Sequence, residues 1–232
     1  MKTYEFEIRN GHYALKIEGR KYIFDTGSPT SLVFKFGRDH LIEGNNVSFP
    51  VRYLIPFHNI DDLYNFIGCE VDGILGTDFL RFTGPLRFSK GDMNVTIGEN
   101  HVRHSTIAKN FEWIEDGHIS IDIRKNGMNL KAMFDTGSIF CYVRPEMTDG
   151  ARSRGTGEDY SPFMGQSFPI EFYEFNENDF DLNILQPIAA MPRFLSDGMD
   201  LCNIDMILGL NSIRWETFFI DPGQNIIGFD SI

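Results

Sequence analysis

The chain carries the stretch Ile23-Phe24-Asp25-Thr26-Gly27-Ser28, and a second stretch, Met133-Phe134-Asp135-Thr136-Gly137-Ser138, repeats its last five residues 110 positions later. One Asp-Thr-Gly-Ser tetrad is weak evidence of function, because Asp and Gly are ordinary turn residues and short motifs often match by chance. Here each copy follows apolar residues and precedes another apolar stretch, Leu32-Val33-Phe34 in one case and Phe140-Cys141-Tyr142-Val143 in the other. Two copies in the same context indicate a repeated structural unit.

The repeat extends on both sides of the tetrads. A Gly-His pair precedes each tetrad, and a hydrophobic-hydrophobic-Gly element follows it. These elements are Gly11-His12 and Gly117-His118 ahead of the tetrads, and Asp72-Gly73-Ile74-Leu75-Gly76 and Asp205-Met206-Ile207-Leu208-Gly209 behind them. An internal repeat of this length implies duplicated units. The sequence predicts a first unit over residues 1–110 and a second over residues 111–232.

Alternation of apolar and polar residues dominates the remaining informative segments. Tyr4–Arg9, Tyr13–Glu18 and Ile119–Arg124 each place their apolar residues on one face of a strand. The 22 glycines and 22 phenylalanines suit many short strands joined by tight turns. Helical signal is limited to short segments after Gly76 and Gly209. The predicted fold class is all-β.

Composition narrows the classes of function. The chain has 21 Lys and Arg against 33 Asp and Glu, and the resulting net charge of -12 argues against a nucleic-acid partner. No apolar run reaches the length of a membrane span, so no membrane association is expected. The first ten residues lack the apolar core of a signal peptide, and the three cysteines are widely spaced. A cytoplasmic location is predicted, or a secreted or periplasmic one if a leader has been removed.

On these residues the chain resembles the pepsin-like and retropepsin-like aspartic proteases, over both halves and hence most of its length. Phe24–Ser28 together with Asp72–Leu80 is most similar to the compact bacterial retropepsin-type domain, so the chain resembles two such domains fused. The resemblance implies a two-lobed pepsin-like acid protease fold, in which two pseudo-two-fold-related β-barrel lobes flank an active-site cleft. It also implies an aspartic endopeptidase whose partner is a polypeptide substrate.

In such an enzyme Asp25 and Asp135 are the catalytic residues. Two adjacent carboxyls can hold a water between them, with one acting as general base and the other as general acid. Because two like charges at close range are unfavourable, the pair shares one proton and titrates as a unit. The resemblance also implies that Thr26 and Thr136 bond across to the opposite loop. One chain supplies both aspartates, so we expect a monomer that needs neither a metal nor an organic cofactor.

The other tetrad residues are expected to support the two aspartates. Gly27 and Gly137 permit close backbone approach and the unusual dihedral angles of such a loop. Ser28 and Ser138 are expected to donate hydrogen bonds from their hydroxyls to the carboxylates. Such bonds would lower the pKa values of the pair, which predicts an acidic pH optimum.

Family spacing places a flap hairpin over the cleft, downstream of each aspartate. In the second half the segment 155–160 is predicted to form a Gly-rich tip, with Gly155, Gly157 and Tyr160 as substrate contacts. In the first half Tyr53 is the corresponding aromatic candidate, and its alternative role is packing or a cross-strand contact. Neither segment reproduces a full pepsin flap.

Other interpretations stay open. His101 and His104 have the spacing of two metal ligands but lack further ligands nearby in the sequence, so no metal site is predicted. A catalytically silent pseudo-protease that binds peptides would keep the fold, although it has no chemical need for two ionisable aspartates. A structural pair of lobes within a larger assembly would have a blocked cleft.

Overall fold

The computed structural model describes residues 2–34, 40–44, 47–53, 60–98, 107–161, 164–176 and 179–230, and in 40–44 and 47–53 it describes the backbone. These residues are mostly strand with little helix, and the strands join into one large sheet. The fold is therefore mostly β, as predicted. Below, the first half denotes residues 2–98 and the second half denotes residues 107–230.

Nineteen strands and three α-helices lie within the described residues. The strands are β1 (Lys2–Arg9), β2 (His12–Ile17), β3 (Arg20–Phe24), β4 (Leu32–Val33), β5 (His40–Gly44), β6 (Val47–Tyr53), β7 (Gly73–Leu75), β8 (Leu86–Ser89), β9 (Asn94–Ile97), β10 (Ile107–Trp113), β11 (Ile119–Lys125), β12 (Met128–Asp135), β13 (Tyr142–Val143), β14 (Arg152–Ser161), β15 (Gln166–Glu174), β16 (Ile188–Ala190), β17 (Met206–Gly209), β18 (Thr217–Asp221) and β19 (Ile226–Asp230). The helices are α1 (Ile60–Ile67), α2 (Thr77–Thr83) and α3 (Arg193–Leu201). In the part of the chain described, no helix is long and apolar enough to cross a membrane.

The strand that leads into the first tetrad, β3, lies inside the sheet. It pairs antiparallel with β2 and parallel with β7. The strand directly after the tetrad, β4, pairs antiparallel with β7 and parallel with β6. Tyr22, Ile23 and Phe24 are all buried, which explains why a continuous apolar run, rather than an alternating one, forms this strand.

The second tetrad has the same strand pairings. β12 pairs antiparallel with β11 and parallel with β17, while β13 pairs antiparallel with β17 and parallel with β16. The sequence repeat therefore corresponds to a repeat of strand pairing. A Cβ atom at Gly76 would overlap the Ser28 carbonyl, and one at Gly209 would overlap the Phe140 carbonyl. Glycine in these two elements thus allows them to pack against the tetrad loops.

Strands from both halves meet in a shared run of the sheet. Its order is β1, β9, β8, β18, β19, β10, and the β8–β18 pair joins the two halves. β10 pairs with β19 and β11, both in the second half. The predicted boundary between residues 110 and 111 therefore falls inside a strand of the second half.

A chain of aromatic rings connects the two strands that lead to the tetrads. Phe24 lies 5.3 Å from Phe88, Phe88 stacks on Phe218 at 5.4 Å, and Phe218 lies 5.6 Å from Phe134, measured between ring centroids. All four side chains are fully buried. Each ring pair contributes about 0.5–1.5 kcal/mol beyond its buried area. The two tetrad strands therefore share one core.

Candidate active site

The two tetrad loops lie directly against each other. The backbone N–H of Thr26 donates to Oγ1 of Thr136 at 3.0 Å, and the N–H of Thr136 donates to Oγ1 of Thr26 at the same distance. The Thr26 hydroxyl in turn donates to the Phe134 carbonyl at 2.7 Å, and the Thr136 hydroxyl to the Phe24 carbonyl at 2.8 Å. Both threonines are fully buried. The cross-loop bonds implied by the resemblance are present, and they fix the two loops relative to each other.

The tetrad glycines face the opposite aspartates. A Cβ atom at Gly27 would overlap the carboxyl of Asp135, and one at Gly137 would overlap the carboxyl of Asp25. The expected close backbone approach is therefore confirmed. The expected unusual dihedral angles are not, because neither glycine has a positive φ. Glycine is required here by space and not by backbone conformation.

Backbone N–H groups bind the aspartate carboxyls. The Gly27 N–H donates to Asp25 Oδ1 at 2.9 Å, and the Gly137 N–H donates to Asp135 Oδ1 at 2.9 Å. The N–H of Ser138 adds a second donor to Asp135 Oδ1, at 3.0 Å. Each carboxyl is thus oriented by its own loop.

The serine hydroxyls have a different role from the one predicted. The hydroxyl of Ser28 donates to the Thr30 carbonyl at 2.8 Å, and that of Ser138 donates to the Phe140 carbonyl at 2.9 Å. The prediction that these hydroxyls donate to the carboxylates is wrong. A short side chain two residues ahead of a free carbonyl closes a local turn instead.

The two carboxyls lie beside each other, since each packs against the tetrad glycine of the opposite loop and both face the same cavity. Burial, together with the charge of Asp135, raises the pKa of Asp25 well above its usual value. Burial also raises the pKa of Asp135, against the opposing hydrogen bonds from Asp25, Gly137 and Ser138. The expectation of lowered pKa values is therefore wrong, because desolvation of both carboxyls, together with the charge of Asp135 beside Asp25, outweighs the bonds that favour ionisation. Such a pair retains one proton to a higher pH than an ordinary carboxyl does.

The pair opens into a cavity of about 490 Å³. Apolar side chains from both halves form most of its wall, and helices α1 and α3 both contribute to it. The apolar residues that line it are Ile23, Pro29, Leu63, Phe66, Ile67 and Ile74 from the first half, and Met133, Ile139, Phe168, Leu195, Met199 and Ile207 from the second. A cavity of this size with a few converging polar groups is typical of a binding site.

The predicted Gly-rich tip is not a turn. Gly155 and Gly157 lie within β14, which pairs with β15 along its length, and the described turn residues before β15 are Met164 and Gly165. Gly155 has a φ of +101° beside an irregularity in the strand register, and a Cβ at Gly157 would lie 2.7 Å from the Phe172 ring. The prediction of a tip is wrong because these glycines serve a bulge and a close ring contact.

Tyr160 lies near the end of β14 and lines the cavity. Its ring centroid is 5.2 Å from that of Phe66 in α1, so a residue of the second half packs on the first half. The side chain is 7% exposed, and its hydroxyl has no hydrogen-bond partner among the described residues. The backbone of Tyr53 lies in β6 beside Val33, and its side chain is outside what the structure describes.

Two polar pairs at the cavity were not predicted. His118 hydrogen-bonds the Gly27 carbonyl and pairs with Asp116, and the Tyr142 hydroxyl donates to Asp159. A Gly-His pair precedes each tetrad, and His118 belongs to the second pair. The sequence repeat therefore singled out this histidine but did not indicate its contacts. Asp159 lay inside the segment predicted to be a flap tip.

Among the described residues, no group of three or more His, Cys, Asp and Glu side chains is placed to hold a metal ion. His101 and His104 lie outside the described ranges.

A comparison with models of known protein families gave no match, and neither did a comparison with curated proteins. In the site itself, two carboxyls lie on cross-bonded loops, each packed against the opposite tetrad glycine, and both face a largely apolar cavity. Such a pair can hold a water molecule and exchange protons with a bound amide.

Proposed function

We propose that this chain is an aspartic endopeptidase with a two-lobed, pepsin-like fold. The observation that carries the proposal is geometric: the Asp25 and Asp135 carboxyls sit on cross-bonded loops, each packs against the tetrad glycine of the opposite loop, and both face one cavity. The repeated strand pairing around each tetrad supports two pseudo-two-fold-related lobes, over residues 1–110 and 111–232. The pairing of β10 with β19 favours moving the junction of these lobes to a point before Ile107.

The reaction is direct attack of water on a peptide carbonyl. The water oxygen bonds to the carbonyl carbon while one aspartate takes a water proton and the other gives its proton to the carbonyl oxygen. The tetrahedral product then collapses and the C–N bond breaks. The nitrogen takes the proton from the first aspartate, and a hydroxyl of the tetrahedral carbon returns a proton to the second. The pair ends with one proton, as it began, so it is ready for another turnover.

The cavity supports a polypeptide substrate with apolar side chains near the cleaved bond, because apolar side chains from both halves line the cavity that the pair faces. A monomer is sufficient, since one chain provides both carboxyls. The net charge of -12 disfavours nucleic acid as a partner. Cys69, Cys141 and Cys202 are free, which is typical of a reducing compartment such as the cytoplasm.

The test is cleavage of an unfolded protein substrate over about pH 3 to pH 8, read by mass spectrometry of the products. We expect cleavage by the wild type and by Asp122→Asn, which changes an exposed aspartate of β11. We expect no cleavage by Asp25→Asn. Because this variant is purified in the same way, it also controls for contaminating proteases. Equal cleavage by the wild type and Asp25→Asn would overturn the proposal.

The peptide-binding alternative predicts a different outcome of the same experiment. A pseudo-protease would not cleave at any pH, yet it would bind pepstatin, a peptide inhibitor of aspartic proteases, with measurable affinity. A structural pair of lobes with a blocked cleft would neither cleave nor bind. Calorimetry with pepstatin on the folded protein separates these two outcomes.

A further inference from the structure

Asp159 lies in the wall of the candidate active-site cavity, near the end of β14. The residue is 9% exposed, and Phe168, which also lines the cavity, lies opposite it in the β14–β15 pairing. Its Oδ2 accepts a hydrogen bond from the Tyr142 hydroxyl, and its Oδ1 accepts one from the Tyr160 N–H at 2.8 Å. Both donors are neutral groups, so these bonds leave the negative charge of the carboxylate uncompensated.

No cationic side chain in the described part of the chain compensates this charge. Asp159 belongs to none of the ion pairs found there, and the residues that line the cavity include no lysine or arginine. Of the two histidines in the lining, His118 pairs with Asp116, and burial lowers the pKa of His12 to about 4. Burial raises the pKa of Asp159 against its two hydrogen bonds. A buried carboxylate without a cationic partner costs free energy, which a bound cation would offset.

The part of the cavity wall around Asp159 is apolar. Its side chains belong to one buried cluster of the second half, with two residues of α3 packed against it. The cluster residues that line the cavity are Met133, Tyr142, Phe168 and Ile207, and the residues of α3 are Leu195 and Met199. Lysine and arginine combine a long aliphatic stem with a charged end. An apolar wall that carries a single buried carboxylate therefore matches both parts of a basic side chain.

A second polar group of the same cavity also lacks a partner. Tyr160 lines the cavity and is 7% exposed, and its hydroxyl forms no hydrogen bond with any described residue. Buried hydroxyls are normally hydrogen-bonded. The free hydroxyl and the uncompensated carboxylate both indicate a ligand that brings a polar, hydrogen-bonding end into an otherwise apolar space.

We propose that Asp159 defines a subsite for a basic side chain, lysine or arginine, of the bound polypeptide. The aliphatic stem packs on the apolar wall of the second half, and the ammonium or guanidinium group binds the Asp159 carboxylate. This inference names a substrate class for the proposed function and rests on it for its catalytic meaning. Binding at the subsite, however, can be measured without any turnover.

The chain offers a matched pair of variants. Asp159→Asn removes the charge and keeps an amide oxygen that can accept from Tyr142. Glu158→Gln is the control, because it removes the same charge from the preceding residue of β14, which is exposed. A second comparison changes the ligand and leaves the cavity intact: norleucine has the aliphatic stem of lysine without the ammonium group. This comparison remains decisive if Asp159→Asn does not fold.

The experiment offers a library of random decapeptides to the folded chain. Mass spectrometry identifies the peptides retained by Asp25→Asn and, separately, those cleaved by the wild type. We expect lysine and arginine to be enriched at one position, and replacing that residue by norleucine in the best peptide should weaken its binding by about 10-fold or more, as for the loss of a hydrogen bond to a charged group. Adding Asp159→Asn should abolish the enrichment, and adding Glu158→Gln should preserve it.

Three results would overturn the inference: no enrichment of basic residues in either readout, equal binding of the lysine and norleucine peptides, or an enrichment that a folded Asp159→Asn variant retains. An equal loss in Glu158→Gln would assign the preference to the net charge of the chain and overturn it as well. Enrichment among retained peptides without cleavage by the wild type would leave the subsite in place and contradict the proposed function. Cleavage without a basic preference would do the reverse.

Discussion

Thr26 and Thr136 each donate a backbone N–H to the other's hydroxyl at 3.0 Å, across 110 residues of sequence. Four hydrogen bonds, the two between the threonines and the two to the carbonyls before each tetrad, connect the loops that carry the aspartates. All four are buried, where an unmade bond costs more than a made bond contributes. This network makes the relative position of the two carboxyls a property of the fold.

Removing one hydroxyl should show how much this network stabilises the protein. Thr26→Val deletes the acceptor for the Thr136 N–H and the donor for the Phe134 carbonyl, so we expect a loss of about 2–4 kcal/mol in the free energy of unfolding. Thr26→Ser keeps the hydroxyl and should cost about 1 kcal/mol or less. Urea denaturation measures both. Equal stability of the valine and serine variants would contradict the prediction.

Adding one carbon at Gly27 should disrupt the site more than the fold. The new Cβ would overlap the Asp135 carboxyl, so the carboxyl must move from its present position or the loop must shift. We expect Gly27→Ala to lose turnover by about 100-fold or more, because catalytic groups tolerate little displacement.

Gly198 in α3 provides the matched control for this change. A Cβ there meets open space, and alanine is favoured over glycine within a helix by about 0.5–1 kcal/mol. Gly198→Ala should therefore be slightly more stable than the wild type. Turnover by Gly27→Ala at the wild-type rate would show that the site accommodates the carbon.

The buried hydroxyl of Tyr160 has no partner among the described residues, so Tyr160→Phe should be more stable than the wild type by about 1 kcal/mol. Tyr142→Phe is the contrasting variant, since its hydroxyl donates to Asp159 in the same cavity. That variant removes the donor to Asp159 Oδ2 and leaves only the Tyr160 N–H on Oδ1, so it should be destabilised by about 1–3 kcal/mol. Thermal unfolding distinguishes the two, and a loss of stability in Tyr160→Phe would contradict the assignment.

The raised pKa of Asp25 predicts a pH dependence of stability. The folded state keeps a proton on this carboxyl at pH values where the unfolded state has lost it. Its contribution to stability is therefore complete below the unfolded pKa of about 4, and it is lost as the pH rises through the folded pKa. Asp25→Asn removes this loss, so the variant should gain stability relative to the wild type as the pH rises from about 4 to neutral. A difference that does not change with pH would contradict the raised pKa.

Sequence patterns predicted what depends on local chemistry and on the repeat. The two tetrads, the alternating strands and the Gly-containing elements after the tetrads each correspond to observed strands, loops and pairings. The bonds of Thr26 and Thr136 followed from the resemblance. These features are short-range, or they repeat a known arrangement, and so a sequence is enough to find them.

Features that depend on where a side chain ends in space were not predictable in the same way. The hydroxyls of Ser28 and Ser138 have a carbonyl two residues away, and this local acceptor wins over the carboxylate. Gly155 and Gly157 have the composition of a turn, yet a bulge and an aromatic neighbour require them. His118 contacts the carbonyl of Gly27, which is 91 residues away in the sequence, so no local pattern could predict this contact.

The most direct test of the central claim is turnover by Asp25→Asn, Asp135→Asn and the double variant, measured on one peptide substrate at the optimum pH of the wild type. The account predicts that each single change lowers turnover by at least about 1,000-fold and that the double variant is no worse than either, because the two carboxyls act as one unit. Turnover near the wild-type rate in either single variant would contradict the claim that Asp25 and Asp135 form a catalytic pair.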